Sequence, residues 1–191
     1  MVGVIKRYPT DEGVLVTETA QNPAATHTAP VAFRASEQLA THLQAVLVDL
    51  TDLHIQGKQA HWNVVGKNFR DLHLQLDEII DDARNFADDI AERMRAVYAL
   101  PDARAKTVAA QSTLPEFPAD EVDTAETVDR TAAALYAVAG TCRRVHDEVD
   151  AEDPTSADIL HTILERIEQL AWMVDAENRV ANSSAPGSVA P

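Results

Sequence analysis

The chain has 191 residues, a formal charge of −15, 46% hydrophobic residues and only 6 glycines. That length suits a single domain and is too short to expect two, while the scarcity of glycine and the supply of strong helix formers favour an all-α protein. The acidity opposes long-range attraction to nucleic acid and favours cations, and a lone cysteine, Cys142, excludes an internal disulfide or a multi-cysteine zinc site and suits a reducing compartment.

Residues 1–34, with Pro9, Pro23 and Pro30 among small polar residues and no sustained periodicity, are expected to form a flexible arm. They hold no apolar run resembling a signal-peptide core, and no later segment has the uninterrupted apolar length of a membrane span, so the expected location is the cytoplasm. Residues 35–179 form the expected domain. From Ser36, a candidate N-cap, apolar residues at Leu39, Leu43, Val46, Leu47, Leu50 and Leu53 predict a helix to about Asn63, which Gly66 breaks. A second stripe through Phe69, Leu72, Leu76, Ile79, Ala83, Phe86, Ile90 and Val97 predicts a helix from about Asn68 to Leu100, stopped by Pro101.

The stretch from Pro101 to about Asp123 holds Pro115 and Pro118 and room for one short helix around Thr107 to Gln111; it is too long for a plain bundle turn. A third long helix is expected from about Thr124 to Asp150. A fourth runs from a cap at Thr155 or Ser156 to about Asn178, after Asp153-Pro154. Residues 180–191 read as a flexible tail. Four long helices joined by short, long and short links predict a ferritin-like four-helix bundle with one crossover.

Chemistry concentrates on the second helix. His73, Asp77, Asp88 and Glu92 fall at about 0°, 40°, 60° and 100° around its axis, one stripe beside the apolar face. Imidazole with carboxylates suits first-row metals such as iron, although acidic residues at helical spacing more often form a solvated face. The two pairs lie ~16 Å apart along the axis, so one helix cannot wrap both around one metal. They are, however, spaced symmetrically about the helix middle. An identical helix laid antiparallel across a two-fold axis sets His73 opposite Glu92 and Asp77 opposite Asp88, building two equivalent shared sites. The Asn63–Gly66 turn can fold His61 back as a further nitrogen ligand. An intra-subunit di-iron site would need Glu-x-x-His motifs, and the chain has none. Asp158, His161, Glu165 and Glu168 on the fourth helix read as a polar face.

The run Lys58-Gln59-Ala60-His61-Trp62-Asn63-Val64-Val65-Gly66, with Asn68-Phe69, Leu72-His73, Leu76-Asp77-Glu78 and Asp88-Asp89-Ile90-Ala91-Glu92-Arg93, resembles the signature of the Dps family (DNA-binding protein from starved cells), the mini-ferritins. The resemblance covers about residues 36–178. It implies a dodecameric homo-oligomeric shell that oxidises Fe(II), preferably with hydrogen peroxide, and stores the Fe(III) mineral, protecting against oxidative stress. It places metal ligands at His61, His73 and Asp77 of one subunit and Asp88 and Glu92 of its mate. Trp62 and Trp172 match near-site tryptophans, the alternative being core aromatics, and Lys58 is expected in a structural ion pair. Asp150, Asp153 and Asp158 are the pore candidates, some of which would otherwise cap the fourth helix or face solvent. DNA compaction is the alternative function, disfavoured because acidic residues balance Lys6, Arg7 and Arg34 in the arm and the tail after Arg179 is uncharged. A purely structural bundle with an ordinary acidic face is the third reading.

Overall fold

Leu39, Leu43, Val46, Leu47, Leu50 and Leu53, spaced in sequence for one face of a helix, are all buried on that face of α1 (Glu37–Asn63) in the computed structural model, which describes residues 32–180. The Ser36 hydroxyl caps α1 by accepting from the Leu39 N–H at 3.0 Å. The expected N-terminal arm, up to residue 31, and the expected tail beyond Val180 lie outside the described residues.

The second helix, α2 (Phe69–Ala96), ends before the expected Leu100. Its terminus is a Schellman wrap: Tyr98 takes φ +64°, its N–H bonds to the Arg95 carbonyl, and the Ala99 N–H bonds to that of Met94 at 2.8 Å. A tyrosine in the left-handed position hides this stop from sequence reading, which looks there for glycine. The Arg34 guanidinium stacks over the Tyr98 ring at 4.1 Å.

The crossover contains α3 (Ala105–Gln111), slightly longer than expected, and is tied down by polar contacts to α1. Buried Asp49 accepts from the Thr113 N–H at 2.8 Å, the Thr113 hydroxyl at 2.7 Å and the Thr141 hydroxyl at 2.6 Å, so one carboxylate joins α1, the crossover and α4 (Thr124–Glu152). Gln44 exchanges hydrogen bonds with both backbone groups of Asp102. An unexpected element follows: β1 (Val64–Val65) pairs in parallel with β2 (Val122–Asp123), and Asp123 then caps α4 by accepting from the Glu126 N–H.

The last helix, α5 (Pro154–Asp175), starts at Pro154 rather than after a cap at Thr155 or Ser156. Proline at the first helical position brings its φ already set and lacks an N–H that would have had no partner. A short 3-10 turn, Ala176–Asn178, completes what was expected as the last helical turn. Contacts of Lys58 with Asp77 and His61 with His73 run α1 antiparallel to α2, and those of Arg143 with Glu168 and His146 with His161 do the same for α4 and α5. The core between the four helices is aliphatic, with Leu43, Val46, Leu76, Ile79, Leu135, Ile163 and Ile167 fully buried. Cys142 sits in it as a free thiol that burial pushes up to about 12, which removes thiolate chemistry near neutral pH. No described helix is long and apolar enough to cross a membrane.

Candidate metal centre

The turn from α1 to α2 builds the centre. Val64 ends α1 with its N–H on the Ala60 carbonyl, Gly66 reverses the chain at φ +121°, and Asn68 at φ 59° opens α2. The pairing of Val64–Val65 with β2 anchors that turn to the start of α4. A side chain at position 66 would be strained by the backbone conformation, and a Cβ there would also sit 3.3 Å from the Thr124 hydroxyl.

This reversal brings His61 and His73 face to face, ring centroids 3.6 Å apart and planes 25° from parallel. Each Nδ1 lies at the other residue's backbone carbonyl, His61 Nδ1 at 3.2 Å and His73 Nδ1 at 3.0 Å. A carbonyl only accepts, so both Nδ1 atoms carry the proton and both Nε2 atoms keep a lone pair for a metal. Asp77, one turn beyond His73, brings Oδ1 to 3.3 Å from His61 Nδ1 and receives the Lys58 ammonium at 2.8 Å. The Lys58 ion pair expected from sequence is therefore present, and its partner is an expected metal ligand. His61, His73 and Asp77 each offer one ligand atom, all within 4.8 Å of one another.

The electrostatics keep these donors in their ligating forms. Burial disfavours the charged form of His61 and, against the opposing pull of Asp77, leaves its pKa below the ordinary value. The Lys58 hydrogen bond holds the Asp77 carboxyl below the usual range. At neutral pH this pair supplies a neutral imidazole and an ionised carboxylate. The ring of Phe69, 5.1 Å from that of His73, covers one side of the site; its i,i+4 spacing from His73 was the sequence signal for this contact, which the apolar stripe alone did not single out.

Asp88 and Glu92 are not brought to this triangle. Both lie further along α2, roughly 22 and 28 Å from His73 along its axis, are exposed, and have no ion pair or side-chain hydrogen bond among the described residues. Trp62 and Trp172 are 71% and 59% exposed, so the alternative placing them in the bundle core is corrected: neither side chain is enclosed by its own subunit. Of the pore candidates, Asp150 and Asp158 are exposed, whereas Asp153 turns inward. Its carboxylate meets the Arg93 guanidinium at 2.6 Å and the Ser156 hydroxyl, with only 9% of the side chain accessible. Asp153 thus holds the α4–α5 junction against α2 and has no carboxylate to offer a channel.

Residues 40–180 match the family described as a ferritin-like domain. A curated relative, DNA protection during starvation protein 2 of Deinococcus radiodurans, is 38% identical over 70% of this chain, a stretch that spans 56% of that relative's length. The fine tangled pili major subunit of Haemophilus ducreyi is 32% identical over 80% of this chain and 81% of its own length. Among solved structures, a Dps protein from Deinococcus radiodurans superposes with a TM-score of 0.71 at 35% identity, covering 73% of this chain and 84% of that one. Dps from Microbacterium arborescens in the high iron form gives 0.71 at 29% identity, covering 76% and 98%. The chain belongs to the Dps family of ferritin-like proteins.

Proposed function

We propose that this protein is a ferroxidase and iron store, with Fe(II) as substrate, whose oxidation site is completed across a two-fold interface. The observation that carries this reading is the His61–His73–Asp77 triangle, whose imidazoles are locked with both Nε2 atoms turned from the carbonyls, together with Asp88 and Glu92, which lie on the helix of His73 and Asp77 and have no side-chain partner among the described residues. A second α2, laid antiparallel, delivers Asp88 and Glu92 of the mate to the triangle. Two imidazoles and three carboxylates suit iron, and the exposed Trp62, next in sequence to His61, stands close to the triangle. Reducing one hydrogen peroxide to water takes two electrons, hence two Fe(II), so paired delivery avoids release of a one-electron hydroxyl radical. Protection of DNA, the role in the names of relatives, then follows from removing iron and peroxide rather than from coating DNA. The high iron form of the Microbacterium arborescens protein supports iron as cargo, and closed assembly into a cytoplasmic dodecamer supplies the cavity to hold it.

Particles assembled from His73→Ala and Glu92→Ala subunits test the shared site. Each variant alone is expected to be inactive, while a heterodimer keeps one of its two sites wholly wild type, so randomly mixed particles recover roughly a quarter of wild-type Fe(II) oxidation. A site within one subunit predicts that mixed particles stay dead. For passage into the cavity, the exposed Asp150 and Asp158 remain the acidic pore candidates. Asp150→Asn/Asp158→Asn is expected to slow Fe(II) uptake severalfold by stopped flow and to leave metal affinity at the triangle unchanged; unaltered uptake would reject that assignment.

A further inference from the structure

A second pair of imidazoles lies far from the triangle, between α4 and α5. His146 Nε2 and His161 Nε2 are 2.6 Å apart, with ring centroids 4.6 Å apart and planes at 36°. Behind His146, its Nδ1 sits 2.9 Å from Asp147 Oδ1; behind His161, its Nδ1 sits 3.7 Å from Asp158 Oδ1. The rings share an open cleft of about 190 Å³ lined by Arg143, Asp147 and Leu164. Arg143, which lines it, donates to Glu168 at 2.7 Å, which neutralises its charge.

The proton inventory makes this arrangement informative. An ionised carboxylate only accepts, so His146 Nδ1 carries the proton towards Asp147 and Nε2 presents a lone pair. Asp158 Oδ1, at 3.7 Å, is too far for a hydrogen bond to His161 Nδ1 and acts on that ring through its charge alone. When His161 takes the same tautomer, two lone pairs converge, and a cation between them, either a proton or a metal ion, holds the pair together. A carboxylate behind each ring is also the support that orients imidazole and raises its basicity in metal sites. With metal–nitrogen bonds of 2.0–2.1 Å and a tetrahedral angle, the two nitrogens would stand about 3.3 Å apart. Opening the pair by that small amount needs only a turn of His161, whose side chain is 58% exposed.

We propose that His146 and His161 form a second metal site, separate from the ferroxidase triangle, that binds a late first-row divalent cation, Zn(II) in preference to Fe(II). The selectivity follows from the donors: a pair of imidazoles completed by water favours zinc, copper or nickel along the Irving–Williams order, whereas the carboxylate-rich triangle is the better iron site. Binding displaces the shared proton and leaves Asp147 as the hydrogen-bond acceptor behind His146, with the Asp158 carboxylate near His161.

The test uses the full-length assembled protein, stripped of metal, carrying His61→Ala/His73→Ala so that the triangle is silent, and titrated with Zn(II) alone against a chromophoric chelator. About one Zn(II) per subunit is expected to remain. Adding His161→Ala should weaken it at least tenfold, and His146→Ala on top of that should change little further, because a two-ligand site is already lost with one. Co(II) in place of Zn(II) should give a visible absorption band that disappears with His161→Ala. Particle mass and circular dichroism check assembly; the exposed His161 variant suffices if that of His146 does not fold. Zn(II) affinity unchanged by His161→Ala, or single-variant losses that simply add as for independent surface histidines, would overturn the proposal.

Discussion

Asp77 and Asp88 share a helix and a residue type but stand in opposite circumstances. Asp77 is gripped by Lys58 and His61 in a triangle whose imidazoles are aimed before any metal arrives, whereas Asp88 and Glu92, one turn further on, are exposed and have no partner among the described residues. The early half of α2 is organised by the subunit's own fold, through the Gly66 turn and the β1–β2 pairing. In the late half Arg93 is held by Asp153, while the exposed Asp88 and Glu92 are, on the proposal above, offered to another copy. On the shared-site proposal, one chain pre-organises half a site and exports the other half, so that full chemistry waits for assembly.

Fe(II) oxidation should treat the two halves alike: His73→Ala and Glu92→Ala are each expected to reduce it by about 100-fold or more, since each removes a ligand and even supporting residues of metal sites cost 10–100-fold. A large difference between the two variants would break the symmetry of the shared site. Stability should separate what activity joins. Arg93→Ala, directly beside Glu92, leaves the Asp153 carboxylate buried without its cation, and a loss of roughly 3 kcal/mol in denaturant unfolding is expected, at the low end for a buried pair because Arg93 keeps a fifth of its side chain exposed.

The same ion pair sets an acid dependence. Burial alone would push the Asp153 carboxyl up, but hydrogen bonds from Ser156 and Arg93 and the Arg93 charge overcome it, and the net shift is downward. A carboxyl lowered on folding contributes stability above its ordinary titration range and loses it as pH falls through the lowered folded value. Arg93→Ala should therefore move acid unfolding to higher pH, and an unmoved acid limb would contradict this account.

In metal-free protein, His73→Ala is expected to cost roughly 1–2 kcal/mol through loss of its hydrogen bond and stacking on His61, while Glu92→Ala should stay within about 0.5 kcal/mol. Chemical denaturation of both variants checks this; equal losses would mean that Glu92, too, is held by a partner within its own subunit. The smallest effect is the most local. Lys58→Met should let the Asp77 carboxyl titrate closer to its ordinary range, and an Asp77 titration unmoved by NMR would remove Lys58 as the cause.

The stripe His73, Asp77, Asp88 and Glu92 and the four long helices were legible in the sequence because helical periodicity is a local property, read directly from spacing. The antiparallel pairing also followed from that spacing, as a proposal about a second chain. The inward turn of Asp153 was not legible: among several acidic residues near one turn, only the packing of α2 against the α4–α5 junction singles out the one that meets Arg93. Nor was the partnership of His146 with His161, since the angle between two helices decides whether polar faces meet.

By itself, then, the amino-acid order determined helix content, the links between helices and the ligand types on α2, all consequences of propensity and period within a few turns. Tertiary structure alone decided which histidine nitrogens are protonated and which are free, because the carbonyls of His61 and His73 reach each other's rings only when the Gly66 turn closes. It also decided that Tyr98 rather than Pro101 ends α2, since a left-handed tyrosine is held there by the Schellman hydrogen bonds of the wrap, and its ring lies under Arg34. Local spacing chooses the groups; their protonation and their exposure depend on neighbours that only the folded chain brings within reach.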